Sequence, residues 1–231
     1  MAAIALETIH DSTDGIVVGK RLFEATTSIG LRPTQEDRFV LIPRFFRDDA
    51  AFCGVYDGTV GDDASEFIGK NIVSFLCRTE EFADPTTGVF STEPTGGAST
   101  DVVAEKIRSA LRQAYLTSDQ ALIEMCTEKK LHYASSTGVS AFLWQNLLTV
   151  AHVGDSKACI ARLIGDEIHP EWLTVDHKPN MPNELKRIEQ SGGSLAWLHG
   201  NKPYIRYVCP SAPLRRSTVA GAVATTYSPP S

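Results

Sequence analysis

Apolar and polar residues follow two rhythms along the chain. Residues 15–28 carry the β-branched run Ile16, Val17, Val18 and read as extended chain. Residues 38–42 and 51–56 are short runs rich in Phe, Val and Ile, of strand length. The rhythm changes over 63–78, where Ala64, Phe67, Ile68, Ile72, Phe75 and Leu76 recur at spacings that gather them on one helical face. A second helix is predicted over 100–129. Ser99-Thr100-Asp101 supplies its capping chemistry, and Val103, Ile107, Ala110, Leu111, Ala114 and Leu122 form its apolar side. Between the helices, residues 84–99 are rich in Thr, Gly and Pro and read as a surface loop.

Strand-like patterning returns at 137–144 and 147–153, joined by the turn Gln145-Asn146, and 156–163 reads as a third strand of the meander, closed by Gly165-Asp166. A short helix is predicted over 181–191. Asn180 can cap it, Pro182 sits in its first turn where a missing N–H costs nothing, and Gly192-Gly193 ends it. Residues 194–198 and 204–208 suit a final hairpin. Beyond Cys209 the character changes, with prolines at 210, 213, 229 and 230 and no periodic apolar pattern. That reading divides the chain into a folded domain, 1–208, and a disordered tail, 209–231. Strands interrupted by two long helices, without regular alternation, predict an α/β chain of the α+β type with mostly antiparallel sheets.

Composition narrows this only a little. The chain has 231 residues, 42% hydrophobic and 22% charged, enough for one domain with a real core. A net charge of −6 argues against a partner gripped through its phosphate backbone, so no nucleic acid is expected. No apolar run approaches the roughly 20 residues that cross a bilayer. Met1-Ala2-Ala3 lacks the second-position Gly of a myristoylation signal, and the first residues lack the basic cluster of a secretory leader. The expectation is a cytoplasmic or nuclear protein with no membrane partner. The five cysteines, Cys53, Cys77, Cys126, Cys159 and Cys209, are odd in number and contain no Cys-x-x-Cys pair. Apolar neighbours around Cys53, Cys77 and Cys159 predict buried, reduced thiols.

Chemistry gathers in four places. Val55-Tyr56-Asp57-Gly58 ends an apolar strand in an acid followed by Gly, well placed to hold a metal, although an isolated Asp-Gly serves equally as a turn. Arg32-Pro33-Thr34-Gln35-Glu36-Asp37-Arg38 sets adjacent carboxylates beside two guanidinium groups, which suit phosphate or a salt-bridged loop. Val153-Gly154-Asp155-Ser156 again runs a strand into Gly-Asp. Asp176-His177-Lys178-Pro179 precedes Glu184, Arg187-Ile188-Glu189 and Gly192-Gly193, and His177 reads as a loop histidine that organises a helix start.

The order and spacing of these groups, with Ser-Thr-Gly opening a strand at 136–138, resemble the signature of type 2C protein serine/threonine phosphatases over 32–195. The resemblance implies an antiparallel β-sandwich flanked by helices, incomplete here at the carboxy-terminal end. It also implies two Mg²⁺ or Mn²⁺ ions that activate a water for attack on phosphoserine or phosphothreonine, without a phospho-enzyme. On that resemblance Asp57 bridges the metals, the Gly58 carbonyl binds one, and Glu36 holds a metal-bound water with Asp37 beside it. Arg32 clamps the substrate phosphate, and Asp155 matches a third, weaker metal position. The implied partner is a phosphorylated protein.

Two departures qualify this. The family run Asp-Gly-His-Gly-Gly is here Asp57-Gly58-Thr59-Val60-Gly61, so Thr59 replaces the proposed general acid. The family's later Asp motifs, which complete the metal sites, are absent after Leu195. The expectation is an impaired enzyme, with one ion or none, from a truncated, alternatively spliced or frameshifted product. The alternative is an inactive module that binds a phosphoprotein or a kinase.

Overall fold

The computed structural model describes residues 15–84, 88–90, 100–131, 133–198, 202–207 and 223–227. In chain order these form β1 (Ile16–Val18), β2 (Arg21–Phe23), β3 (Asp37–Ile42), β4 (Ala50–Thr59), α1 (Asp63–Cys77), α2 (Glu80–Ala83) and α3 (Thr100–Glu128). There follow β5 (Ser135–Ser136), β6 (Gly138–Trp144), β7 (Leu147–Val153), β8 (Cys159–Ile164), β9 (Glu167–Trp172), α4 (Pro182–Gln190), β10 (Gly193–Leu198), β11 (Lys202–Tyr207) and β12 (Val223–Tyr227).

Alternation along β4 organises the molecule. Phe52 and Tyr56 are fully buried, while Cys53, Val55 and Asp57 lie exposed on the opposite face. Antiparallel neighbours extend this strand into a sheet ordered β12-β7-β6-β4-β3, with β5 paired to the far end of β4. Helices α1 and α3 contribute Ile72, Leu76, Ile107 and Leu111 to the core beneath one face of the sheet. Tyr56 folds back over Gly54, where any Cβ would lie 2.2 Å from the Tyr56 hydroxyl. That hydroxyl meets Ser140 Oγ at 2.9 Å, and the Tyr115 hydroxyl joins it at 2.9 Å from the same oxygen. A buried polar trio so anchors the strand one residue before Asp57.

The predicted helices are present, and the mixed architecture of helices and antiparallel sheets is as expected. Met181, rather than Asn180, occupies the cap position of α4. Three readings need correction. The strand expected at 156–163 does not continue the meander. Gly154, at φ +90°, turns the chain away, and β8 pairs with β9 as a separate hairpin. This hairpin leaves Leu163, Ile164, Ile168 and Trp172 exposed. The edge of β7 is taken instead by β12, from the segment read as a disordered tail. Unpaired edge N–H and C=O groups accept any extended segment, and Val223, Thr225, Thr226 and Tyr227 favour extension more than the surrounding prolines suggested. The rest of 209–231, and residues 1–14, lie outside the described residues.

The third correction concerns the surface loop at 84–99. Val89 is 8% exposed, and Phe90 packs against the main core. Gly88 lies close against Asp84, its N–H donating to the Asp84 carbonyl at 2.9 Å, and a Cβ there would come within 2.2 Å of that oxygen. Residues 85–87 and 91–99 lie outside the described residues. The cysteines also divide differently from expectation. Cys126 is buried and Cys77 half-buried, but Cys53 is exposed because alternation along β4 points it away from the core, and Cys159 is exposed on the separate β8–β9 hairpin.

Candidate functional site

The sequence motifs converge at one end of β4. Register places Asp37 of β3 directly opposite Asp57, so the two carboxylates share the exposed face of the sheet. The Asp57 N–H donates to Thr137 Oγ1 at 3.1 Å, and the Thr137 N–H donates to the Asp57 carbonyl at 2.9 Å. Thr137 Oγ1 also lies 2.6 Å from Ser156 Oγ, which ties in the Gly154-Asp155-Ser156 stretch. Gly154 rests on the Thr137 side chain, where a Cβ would come within 2.8 Å, and its carbonyl accepts the His177 N–H at 2.9 Å. Thr137 thus links three motifs that are far apart in sequence. Its role was not legible beforehand, because it follows from how the strands pair.

Negative charge accumulates around Asp57. Partial burial raises the pKa of Asp57, and the neighbouring carboxylates of Asp37, Asp155 and Glu36 raise it further. Asp155 sits 3.6 Å from Lys178 Nζ, and Lys178 is shared with Asp176 at 3.2 Å. Lys157 in turn reaches Asp176 at 3.3 Å. The lysines therefore serve the outer carboxylates.

Glu36 supports the turn that follows β4. Its Oε1 accepts the Gly61 N–H at 3.1 Å. Its carbonyl accepts the Gly58 N–H at 3.1 Å and the Ser65 hydroxyl at 2.5 Å. A Cβ on Gly58 would meet the Gly61 carbonyl oxygen at 2.6 Å and that of Glu36 at 2.8 Å, so glycine is required there. Val60, by contrast, is held at φ +60° and is exposed. A β-branched residue in the left-handed region is strained by about 1–2 kcal/mol. Val60→Gly removes that strain but loosens the unfolded chain by about 0.4–1 kcal/mol. The expected net result is a small stabilisation, read as a higher urea midpoint with unchanged slope. A lower midpoint would mean that the Val60 side chain makes compensating contacts.

The guanidinium groups part company. Arg38 bonds Asp62, and Glu66 at 2.5 Å, and it donates to the Gln35 and Asp37 carbonyls at 2.9 Å. It clamps β3 to the start of α1 and is occupied with that task. Arg32 lies exposed on a turn whose N–H donates to the Ile29 carbonyl at 3.2 Å. Among the described residues its guanidinium forms no ion pair, so it is not drawn into the carboxylate group. Thr59 lies at the end of β4, paired with Ser135. Two histidines stand behind the site, His152 and His177, with ring centroids 4.7 Å apart at 87°.

The donors present are hard oxygens, the chemistry that Mg²⁺ and Mn²⁺ prefer. The repulsion that raises the Asp57 pKa is also the kind a cation relieves. The number of ligands falls short, however. Among the described residues no three His, Cys, Asp or Glu side chains form a ready metal shell. The residues fit a hard cation in kind and do not by themselves surround it.

Comparison with known proteins places the fold. "Protein phosphatase 2C 1" of Paramecium tetraurelia is 29% identical over 198 residues, covering 81% of this chain and 58% of that protein. "Probable protein phosphatase 2C 22" of Arabidopsis thaliana is 29% identical over 180 residues, covering 74% of this chain and 40% of that protein. The chain thus spans about half the length of the curated relatives it matches. A solved serine-threonine phosphatase 2C from Toxoplasma gondii superposes with a TM-score of 0.78 at 38% identity, covering 87% of this chain and 65% of that one. The family model for protein phosphatase 2C matches residues 23–208, most of the chain, and the chain belongs to that family.

Proposed function

We propose that the chain hydrolyses phosphoserine or phosphothreonine in a protein substrate, slowly, with Mg²⁺ or Mn²⁺ held at Asp57, Asp37, Glu36 and the Gly58 carbonyl. The observation that carries this reading is the register of β3 and β4, which sets Asp37 opposite Asp57 on an exposed face. A bound ion would supply an activated water and neutralise charge on the phosphoryl oxygens.

The chain's own residues prepare the place. Tyr56, through Ser140, and Thr137, through the backbone, fix the direction of Asp57. Glu36 holds the following turn at Gly58 and Gly61. Thr59 cannot donate a proton near neutral pH, so the leaving alcohol must be protonated by solvent. Loss of general acid catalysis costs about 10²–10⁴-fold in rate, which is one reason to expect slow turnover. The short set of carboxylates is the other. Arg32 is the candidate to meet the phosphate, since Arg38 is committed to Asp62 and Glu66.

The test is hydrolysis of p-nitrophenyl phosphate by the purified chain with Mn²⁺, with EDTA, and for Asp57→Asn. Slow turnover that needs Mn²⁺ and falls at least tenfold in Asp57→Asn is the expected result. No turnover from folded protein would move the function to the second reading, a module that binds a phosphorylated protein or a kinase. The incomplete metal shell is what favours that second reading.

A further inference from the structure

We propose, on the reading of Asp57, Asp37, Glu36 and the Gly58 carbonyl as a cation site, that Ser65 is a positioning residue. It aims the Glu36 and Asp37 carboxylates through the peptide group that joins them. Ser65 lies in the first turn of α1 and is fully buried. Its hydroxyl donates to the Glu36 carbonyl at 2.5 Å, and the Asp62 carbonyl lies 3.1 Å from the same oxygen. A hydroxyl has one proton to give, and the nearer acceptor takes it. A serine inside a helix ordinarily bonds a carbonyl one turn back. Here that choice, Asp62, is the longer contact, and the hydroxyl turns from its own helix to the start of β3.

The Glu36 carbonyl and the Asp37 N–H belong to one planar unit. The tilt of that plane sets the backbone angles on either side of it, and so the directions in which both side chains leave the chain. Three contacts hold the plane. The Ser65 hydroxyl and the Gly58 N–H, at 3.1 Å, take up the two lone pairs of the Glu36 carbonyl oxygen. At the other end the Asp37 N–H donates to Gln35 Oε1 at 3.2 Å. Gly58 is on β4 and Gln35 on the loop before β3, so of the three only Ser65 reaches the plane from a helix. Arg38 fastens that same helix to β3 through Asp62 and Glu66, which gives the Ser65 hydroxyl a fixed base from which to act.

Ser65 also bears on the carbonyl member of the set. A Cβ on Gly58 would lie 2.9 Å from Ser65 Oγ, so the hydroxyl packs against Gly58 itself. One buried oxygen thus backs Glu36, Asp37 and Gly58 together. Being wholly enclosed, it meets no solvent and acts through the backbone it holds.

The test titrates the 231-residue chain with Mn²⁺ in buffer without denaturant and follows the free ion by electron paramagnetic resonance, so it reads binding and not turnover. Ser65→Ala is expected to weaken Mn²⁺ binding about three- to tenfold, the worth of one hydrogen bond. In an Asp37→Asn background the same substitution should cost less than about twofold, because a carboxylate that it aims is gone. A hydroxyl with a purely structural role would lower the urea midpoint and leave the Mn²⁺ affinity of the folded chain unchanged. That result would overturn the proposal and leave the cation site standing, as would an undiminished loss in the Asp37→Asn background. If Ser65→Ala does not fold, Ser65→Cys, which offers only a weak donor, must show the loss instead, and unchanged affinity there overturns the proposal equally. No Mn²⁺ binding by the unaltered chain would remove the cation site itself, and the role of Ser65 with it.

Discussion

Phe45→Ala is expected to lower the free energy of unfolding by about 3–5 kcal/mol, the range for emptying a large aromatic site in a packed core. Phe45 is fully buried in the connection between β3 and β4. Its ring centroid lies 5.0 to 6.3 Å from those of Phe46, Phe52, Phe82, Phe90 and Phe142. Several of these meet it edge-on, the arrangement aromatic quadrupoles favour. Apart from the adjacent Phe46, these rings come from the sheet, from α2 and from the segment at 88–90, so Phe45 joins elements that no strand pairing connects. The backbone gives the cavity little room to collapse, because the Phe45 N–H is fixed to the Ala50 carbonyl at 2.8 Å. Urea unfolding followed by circular dichroism measures the loss. A loss below about 1 kcal/mol would show that the rings repack around the gap and that the cluster does not consolidate the domain.

Acidification should weaken the fold by a comparable amount through His152. The residue is 5% exposed, and its Nε2 accepts the Val175 N–H at 3.0 Å. Burial first, and then His177, push its pKa down from 6.5 to about 4, against a smaller opposing pull from Asp176. The folded state therefore holds the ring neutral over a range where the unfolded chain takes up a proton. Stability from this group is fully present above about 6.5 and drains away as the pH falls towards about 4. At roughly 1.4 kcal/mol per pH unit, that span amounts to at most about 3 kcal/mol. Urea midpoints at pH about 7.5 and about 4.5 would read it. His152→Gln keeps an acceptor for the Val175 N–H and removes the titration, so its midpoint should change far less between the two conditions. An undiminished fall in that variant would assign the acid sensitivity to other groups.

The candidate site was partly written in the chain. Asp57-Gly58 at the end of an apolar run and Gly154-Asp155 at the end of another were visible as strand ends bearing acids, and both lie where the strands stop. The pair Glu36-Asp37 was visible too, but not its division of labour. Glu36 supports a turn, whereas Asp37 faces Asp57. The resemblance assigned the phosphate to Arg32 and gave Arg38 no task. Only folding commits Arg38 to Asp62 and Glu66, because those acids arrive on the first turn of α1 from beyond the loop. Thr137 was visible only as the middle of the Ser-Thr-Gly stretch, and its bond to the Asp57 backbone carried no signal, since a Thr in a strand is ordinary until its neighbours are known.

By itself the sequence determined the local elements: period-two runs became strands, and the apolar face over 63–78 became α1. It also determined the family, through the order of its acidic and glycine motifs. These are short-range properties, set by which face of an element can be buried and by which residues tolerate a turn. Tertiary structure alone decided which strands became neighbours. It placed 223–227 on the edge of β7 where 156–163 was expected, and drew Val89 and Phe90 out of a polar-looking loop into the core. It also set Asp37 across from Asp57. Hydrogen bonds along a strand edge and the filling of a core are satisfied by any segment of suitable shape, wherever it lies in the chain. Such choices are settled by competition among distant segments, which no window of sequence contains.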